Sequence, residues 1–338
     1  MRASAVRLAE TKVRLADLAF PSSRVEIQRT RLAFIHLDNL LHFAKIDRDG
    51  RVDGYVAAYL PDEVALLFFR RGEIMTAATF TEAGRAVVPM DSVLRNMRKE
   101  LERGELAFCD APMEQLAWMY HSCAGPLEPK FVDAKDPGAI FPALQHEQFS
   151  GVLELISNGR VSYFRFQDGR FVNGYFSGKS PQATIAQHVE DLFRPAADGA
   201  LPDVAASVFR PEGELPEQAS SAMIQSYREL FWRLLAVAEQ QVPGEARQRG
   251  LKVRDALTKG SAPLGVIGSP LEQELPEVVA GPEQLTQSLA DWARQLLQQL
   301  EIIAPGVAPT IVRDATREHR FVLQKAGFYQ ALPWTVSW

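Results

Sequence analysis

Residues Val161-Ser-Tyr-Phe-Arg-Phe-Gln-Asp-Gly-Arg-Phe-Val-Asn-Gly-Tyr-Phe176 decide how this chain folds. Two apolar-rich runs flank Asp168-Gly169. Such a pair favours a two-residue hairpin turn, because both central positions take positive φ. The turn sets Phe166 opposite Phe171, a cross-strand aromatic pair of the kind that stabilises hairpins, and both rings are expected on one buried sheet face.

The pattern occurs twice. Shifted by 97 residues, the stretch 54–79 falls on 151–176 without a gap, and Gly54 meets Gly151, Val64 meets Val161, Phe69 meets Phe166 and Gly72 meets Gly169. In the first copy Arg71 stands where Asp168 stands in the second. A long L side chain is disfavoured at positive φ, so the first hairpin is expected to use a longer, bulged turn.

Helical signals flank each copy. Asp38 is an N-cap candidate before the apolar run that ends at Ala44. Further on, Val93, Leu94, Met97 and Leu101 share one helical face, and residues 185–193 hold the matching place in the second copy. A short strand over 104–109 closes the first unit. The second has a Pro-rich stretch, 195–216, where its closing strand is expected.

From Ser220 the period becomes helical. One stripe runs from Met223 through Ile224, Tyr227, Leu230, Phe231, Leu234 and Leu235 to Ala238, with Ser220 or Ser221 as cap and Pro243-Gly244 as stop. A second uses Leu285, Leu289, Trp292, Leu296 and Leu300; a third uses Ile311, Ala315, Val322 and Ala326, with Gly327 ending it. Residues 260–282, with four prolines and four glycines, read as a long loop. The aromatic tail, 327–338, is expected to fold back on the bundle, with a partner-binding tail as the alternative. The predicted class is therefore α+β: two tandem helix/β-meander modules followed by an all-α domain. The boundaries are 1–36 (basic arm and leading strand), 37–124, 125–212 and 213–338.

At this point the chain resembles a family. Leu-Asp-Asn-Leu-Leu over 37–41, Gly54 opening a strand, and Phe69-Arg-Arg-Gly-Glu-Ile74 are similar to the PATAN domain. Ser150-Gly-Val-Leu-Glu-Leu155 followed by Phe166-Gln-Asp-Gly-Arg-Phe-Val172 is the closer match, within 127–212. The resemblance implies a bacterial signalling module with a helix-and-meander organisation that works by binding other proteins, among them signalling or motility components. It supplies no catalytic residue set. The receiver-like domain that often accompanies such modules has no counterpart here.

Composition narrows the function classes. Residues 1–37 carry seven Arg/Lys against three Asp/Glu, 38–219 carry 18 against 27, and 220–338 carry 12 of each. An acidic middle repels phosphates, so nucleic acid is not an expected partner. The basic arm suits a solvated end, or docking on that acidic middle or on an acidic partner. No run of 18 apolar residues is present, and the opening residues lack the apolar core of a secretory signal. Two cysteines make no disulfide framework. A cytoplasmic protein without membrane insertion is expected, and homo-oligomerisation is compatible with the sequence.

The acidic stretch 47–54 fails as a calcium loop, since Gly50 at the sixth position puts Lys45 first and Val56 twelfth. His121, Cys123 and Cys109 lack the partners of a zinc site or a Cys–His pair. His36, His42, His146, His188 and His319 are scattered. Gly260 and Gly265 have phosphate-loop spacing, but Val266-Ile267 follows instead of Lys-Ser/Thr. Arg24, Arg29 and Arg31 read as the outer face of a strand. No catalytic, cofactor-binding or metal residue is assigned and no cofactor is expected. The expected function is that of a non-enzymatic signalling scaffold; the alternative is a small-molecule sensor with ligand held between the modules or against the helical domain.

Overall fold

The computed structural model describes residues 14–46, 52–133, 135–178, 183–195 and 199–338. Residues 47–51 of the acidic stretch 47–54, and the first thirteen residues, lie outside them. The chain forms two compact units, Met1–Pro216 and Glu217–Trp338.

The first unit opens with β1 (Arg24–Arg31), α1 (Leu37–Ile46), β2 (Gly54–Tyr59), β3 (Glu63–Arg70), β4 (Glu73–Thr81) and β5 (Gly84–Val88). Then come α2 (Met90–Lys99), β6 (Glu105–Asp110) and α3 (Met113–Ala124). The second module holds β7 (Glu128–Lys130), α4 (Ile140–His146), β8 (Gly151–Ser157), β9 (Arg160–Gln167), β10 (Arg170–Phe176), α5 (Ile185–Leu192) and β11 (Val204–Phe209). One sheet has the order β1-β6-β2-β3-β4-β5, the other β10-β9-β8-β11-β7. Matching β1 to β7, β6 to β11 and β2–β4 to β8–β10 superimposes the two orders, leaving β5 without a counterpart. The fold is α+β, with a helical C-terminal region.

The repeat extends to single hydrogen bonds. Arg71 and Gly72 take φ of 50° and 76°, and Asp168 and Gly169 take 48° and 75°. Both hairpins thus use the same two-residue turn, and the longer turn expected at Arg71 is not found. The reason lies one strand away. Asp53 Oδ1 accepts the Arg71 N–H at 2.6 Å, and the Val52 carbonyl accepts that of Gly72 at 2.8 Å. In the second copy Ser150 Oγ accepts the Asp168 N–H at 2.8 Å, and the Phe149 carbonyl accepts that of Gly169 at 2.9 Å. This support offsets the cost of holding an Arg at positive φ, which is about 1–2 kcal/mol. A register shift follows each turn at the same place, leaving Met75 and Val172 unpaired. Gly169 is also required by packing, since a Cβ there would lie 2.6 Å from the Gln145 carbonyl oxygen.

Alternation along the strands gives each sheet two apolar faces. The outer face of the first sheet (Val56, Ala58, Leu67, Phe69, Ala77) packs on Leu37 and Leu40 of α1 and on Met90, Val93 and Met97 of α2. Leu101 lies beyond α2 and is exposed. The outer face of the second sheet (Leu153, Leu155, Phe164, Phe166) packs on Ile140 and Leu144 of α4 and Leu192 of α5. The inner faces share one core with α3, whose Leu116, Ala117, Trp118, Met119 and Cys123 are all buried in it. Asp38 is not the N-cap; α1 begins at Leu37, and Asp38 lies in its first turn and binds Arg98 at 3.0 Å.

The closing strand of the second module, placed in doubt by its prolines, is β11. It pairs with β8 from Val204↔Ser157 to Phe209↔Val152 and with β7 on its other side. Pro195, Pro202 and Pro211 flank the strand without interrupting it, so every ladder N–H is kept.

The segment before β1 ties the two sheets together. Ala19 pairs with Arg160, its N–H reaching the Gly159 carbonyl at 2.9 Å and its carbonyl the Val161 N–H at 2.8 Å. Meanwhile the Tyr59 hydroxyl donates to the Leu18 carbonyl and the Tyr55 hydroxyl to that of Pro21. On β1, Arg29 binds Glu105 and lies 3.8 Å over the Tyr59 ring, and Arg24 binds Asp110. These arginines make ion pairs along a strand edge.

The second unit holds α6 (Ser221–Gln241), α7 (Ala246–Thr258), α8 (Ala262–Ile267), α9 (Pro282–Ile303), α10 (Val307–Thr316) and α11 (Arg320–Lys325). Ser220 caps α6, accepting the Met223 N–H. The stripe of α9 is wholly buried, with the Trp292 ring centroid 4.0 Å from that of Phe231, the planes tilted by 35°, and its Nε1 donating to the Gly250 carbonyl. The loop expected over 260–282 contains α8, capped by Ser261. The remainder is pinned by buried Arg228, which donates to the carbonyls of Pro270 and Gln273. The third stripe breaks: Val322 and Ala326 are exposed and Leu323 is the buried residue, because a 3-10 turn at Arg317–His319 rotates the face. Phe328 and Leu332 bury the tail against this core. No helix among the described residues is long and apolar enough to cross a membrane.

Removing the turn supports should separate the two hairpins. Asp53→Ala is expected to cost about 1.5–3 kcal/mol, as loss of a bond to a charged acceptor, and Ser150→Ala about 0.5–1.5 kcal/mol. Chemical denaturation of the two variants measures both.

Candidate functional site

The inter-module core holds polar residues that sequence reading did not single out. Arg85 on β5 and Glu154 on β8 form a two-pronged ion pair, both bonds 2.7 Å, with side chains 4% and 1% exposed. Ser122 of α3 donates to the Met119 carbonyl, lies 3.3 Å from the Tyr163 hydroxyl, and accepts a longer bond from Arg85 at 3.4 Å. The Arg85 guanidinium also sits 5.2 Å over the Phe80 ring. Glu154 against Arg85 raises the arginine further above its ordinary value, although burial acts against it. No sequence signal pairs these two residues, since 69 positions separate them.

The thiol and imidazole group is dispersed by helix geometry. His121 and Cys123 are two residues apart on α3, about 200° around its axis, so they face different surroundings. Burial pushes the Cys123 thiol up to about 12, against the neighbouring Arg85, which lowers it. Cys109, on β6, is also raised by burial. His121 is half-buried and lowered by burial, opposed by the backbone of Gly213 and Glu214. It lines a groove of about 1350 Å³ with Lys130, Glu147, Arg210 and Glu212. Lys130 is already paired with Glu128 and Glu147. No group of three or more metal-ligating side chains assembles among the described residues.

A second cavity of about 480 Å³ lies between the modules, lined by Arg70, Glu114, Trp118, Arg165 and Leu215. Glu114 Oε2 accepts from Asn173 Nδ2 at 3.0 Å and from the Tyr175 hydroxyl at 2.8 Å. Burial, with Glu114 adding to it, raises the Tyr175 hydroxyl above its ordinary value.

An apolar surface lies on the outer face of the second module. A cleft of about 700 Å³ between α4, α5 and the β9–β10 hairpin is lined by Phe141, Phe164, Phe166, Phe171, Ile185 and Val189. Phe166 is buried and its ring lies 6.2 Å from that of Phe171, as the opening stretch implied. Phe171, expected to be buried, is instead 38% exposed, and Ile185 is 43% exposed. The helices over this face are shorter than those of the first module: α4 and α5 have seven and eight residues, whereas α1 and α2 have ten each.

Comparison of this chain with family models, with curated proteins and with solved structures gave no match.

Two outcomes check the buried centre. Glu154→Ala should destabilise the first unit by about 3–5 kcal/mol, because it strands a buried guanidinium, whereas Arg85→Met with Glu154→Leu should recover most of that loss. Denaturation midpoints decide it. Cys123 should resist alkylation at pH 8 until the protein unfolds. The folded state holds this thiol protonated, so the stability it contributes is whole below pH 9 and is lost as pH rises to about 12. Cys123→Ala should flatten that alkaline loss in a pH series of unfolding curves.

Proposed function

We propose that this chain is a non-enzymatic bacterial signalling scaffold that acts by binding other proteins through the outer face of its second module. The observation that carries the reading is the Phe141–Phe166–Phe171–Ile185–Val189 cleft, an aromatic-lined surface left open where the first module is covered. Clustered exposed apolar groups mark interaction sites more often than isolated ones, and aromatic rings anchor interfaces at low entropic cost. The resemblance to PATAN modules supports the same direction. The buried polar residues have a sufficient structural role, since Arg85, Glu154, Ser122 and Tyr163 bond mainly to one another.

A small-molecule sensor is the second reading, favoured by the cavity between the modules, where Arg70 and Arg165 stand beside Trp118. A metabolite-library thermal-shift screen supports it if a ligand raises the midpoint of the wild type and fails to do so with Arg165→Ala.

For the scaffold, Phe171→Asp with Ile185→Asp should abolish capture of partners from the native host, with circular dichroism unchanged because both positions are substantially exposed. Replacing Cys109, Cys123 and His121 by Ala, Ala and Gln should leave capture intact in folded protein. Unchanged capture by the Phe171/Ile185 variant overturns the reading.

A further inference from the structure

The two sheets differ at one edge. In the first, β5 pairs with β4 through Ala77↔Val88, Ala78↔Val87, Thr79↔Ala86 and Phe80↔Arg85. The counterparts of these β4 residues, at the offset of 97, are Gly174, Tyr175, Phe176 and Ser177. Among the described residues β10 pairs only with β9, so no described strand covers its far edge. The bulge at Val172 does not disqualify this edge, because β4 carries the same bulge at Met75 and still accepts β5. It also keeps the faces in step: Ile74 and Phe171 point outward, and Ala78 and Tyr175 belong to the inner core.

We propose that an extended segment of a partner protein adds to β10 as a sixth, antiparallel strand, in the position β5 holds in the first module. This rests on the scaffold reading and specifies how the cleft is used. The chemistry of the partner follows from the edge. In the first module the chain leaves β5 through Pro89 to Met90, whose side chain is buried in the outer core that Ile74 joins. The equivalent place beside Phe171 is the open cleft, so the incoming segment carries a bulky apolar residue two positions after the one opposite Gly174. On the inner side, Glu114 spends Oε2 on Asn173 and Tyr175 and presents its carboxylate beside them. The incoming residue opposite Tyr175, the place of Val87, is therefore Lys or Arg. Backbone bonds give such a complex its affinity and the alternate side chains its selectivity.

The test uses the full-length protein and a synthetic peptide with the sequence of residues 82–90 carrying V87K. Three measurements apply: titration, amide exchange of residues 170–176, and a control peptide with alternate backbone nitrogens methylated. The peptide is expected to bind and to slow exchange along β10. Methylation should weaken binding about tenfold or more, since it removes ladder bonds but no side chain. Glu114→Gln should weaken the V87K peptide and leave the unsubstituted 82–90 peptide unchanged. Lack of binding at millimolar peptide, equal binding of the methylated peptide, or unchanged exchange along β10 each overturns strand addition. The scaffold reading fails separately, if Phe171→Asp with Ile185→Asp still captures partners.

Discussion

The two sheets of the first unit close around a buried ion pair between Arg85 and Glu154. Two charges withdrawn from water cost several kcal/mol each, and only close two-pronged geometry with further hydrogen bonds recovers that cost. Here one partner comes from the edge strand of the first sheet and the other from a central strand of the second. The pair can form only when the two sheets sit in one relative position. Apolar burial drives the inner faces together without choosing a register, because it is non-directional. A bidentate pair is directional, and so it supplies the register that burial lacks.

Other elements serve the same union. Helix α3 fills the space between the inner faces, with Trp118 5.0 Å from Tyr175 on one side and Tyr120 6.4 Å from Phe68 on the other. The segment around Ala19 pairs with the second sheet while Tyr55 and Tyr59 hold it to the first. A Cβ at Gly159 would lie 2.3 Å from the Asp17 carbonyl oxygen, which explains a glycine at that crossing. The tandem repeat therefore folds as one body, in which each copy completes the core of the other.

This sharing also accounts for the asymmetry between the copies. Strand β5 carries Arg85 inward, so in the first module the edge position is committed to the inter-module contact. In the second module no described strand pairs with the far edge of β10, and the outer cover is shorter, α5 having eight residues against ten in α2. The aromatic side chains that a full-length cover would bury are left facing a cleft. The cleft lies in the copy of the repeat that lacks the sixth strand of the other.

Local chemistry was legible in the sequence. The 97-residue offset, the Asp168-Gly169 turn, the Ser220 cap and the α9 stripe follow from glycine at positive φ, side-chain capping and helical spacing, each settled within a few residues. Tertiary structure decided the rest. Arg71 takes a turn position unsuited to it because Asp53, 18 residues earlier, accepts its N–H. Strand β11 forms among prolines because β8 and β7 pair with it on both sides. Phe171 is part-exposed in the cleft that α4 and α5 form with its hairpin, and Arg85 meets Glu154 only when two sheets close on α3. These are contacts between residues far apart in the chain, and neither periodicity nor composition encodes a pairing that distant.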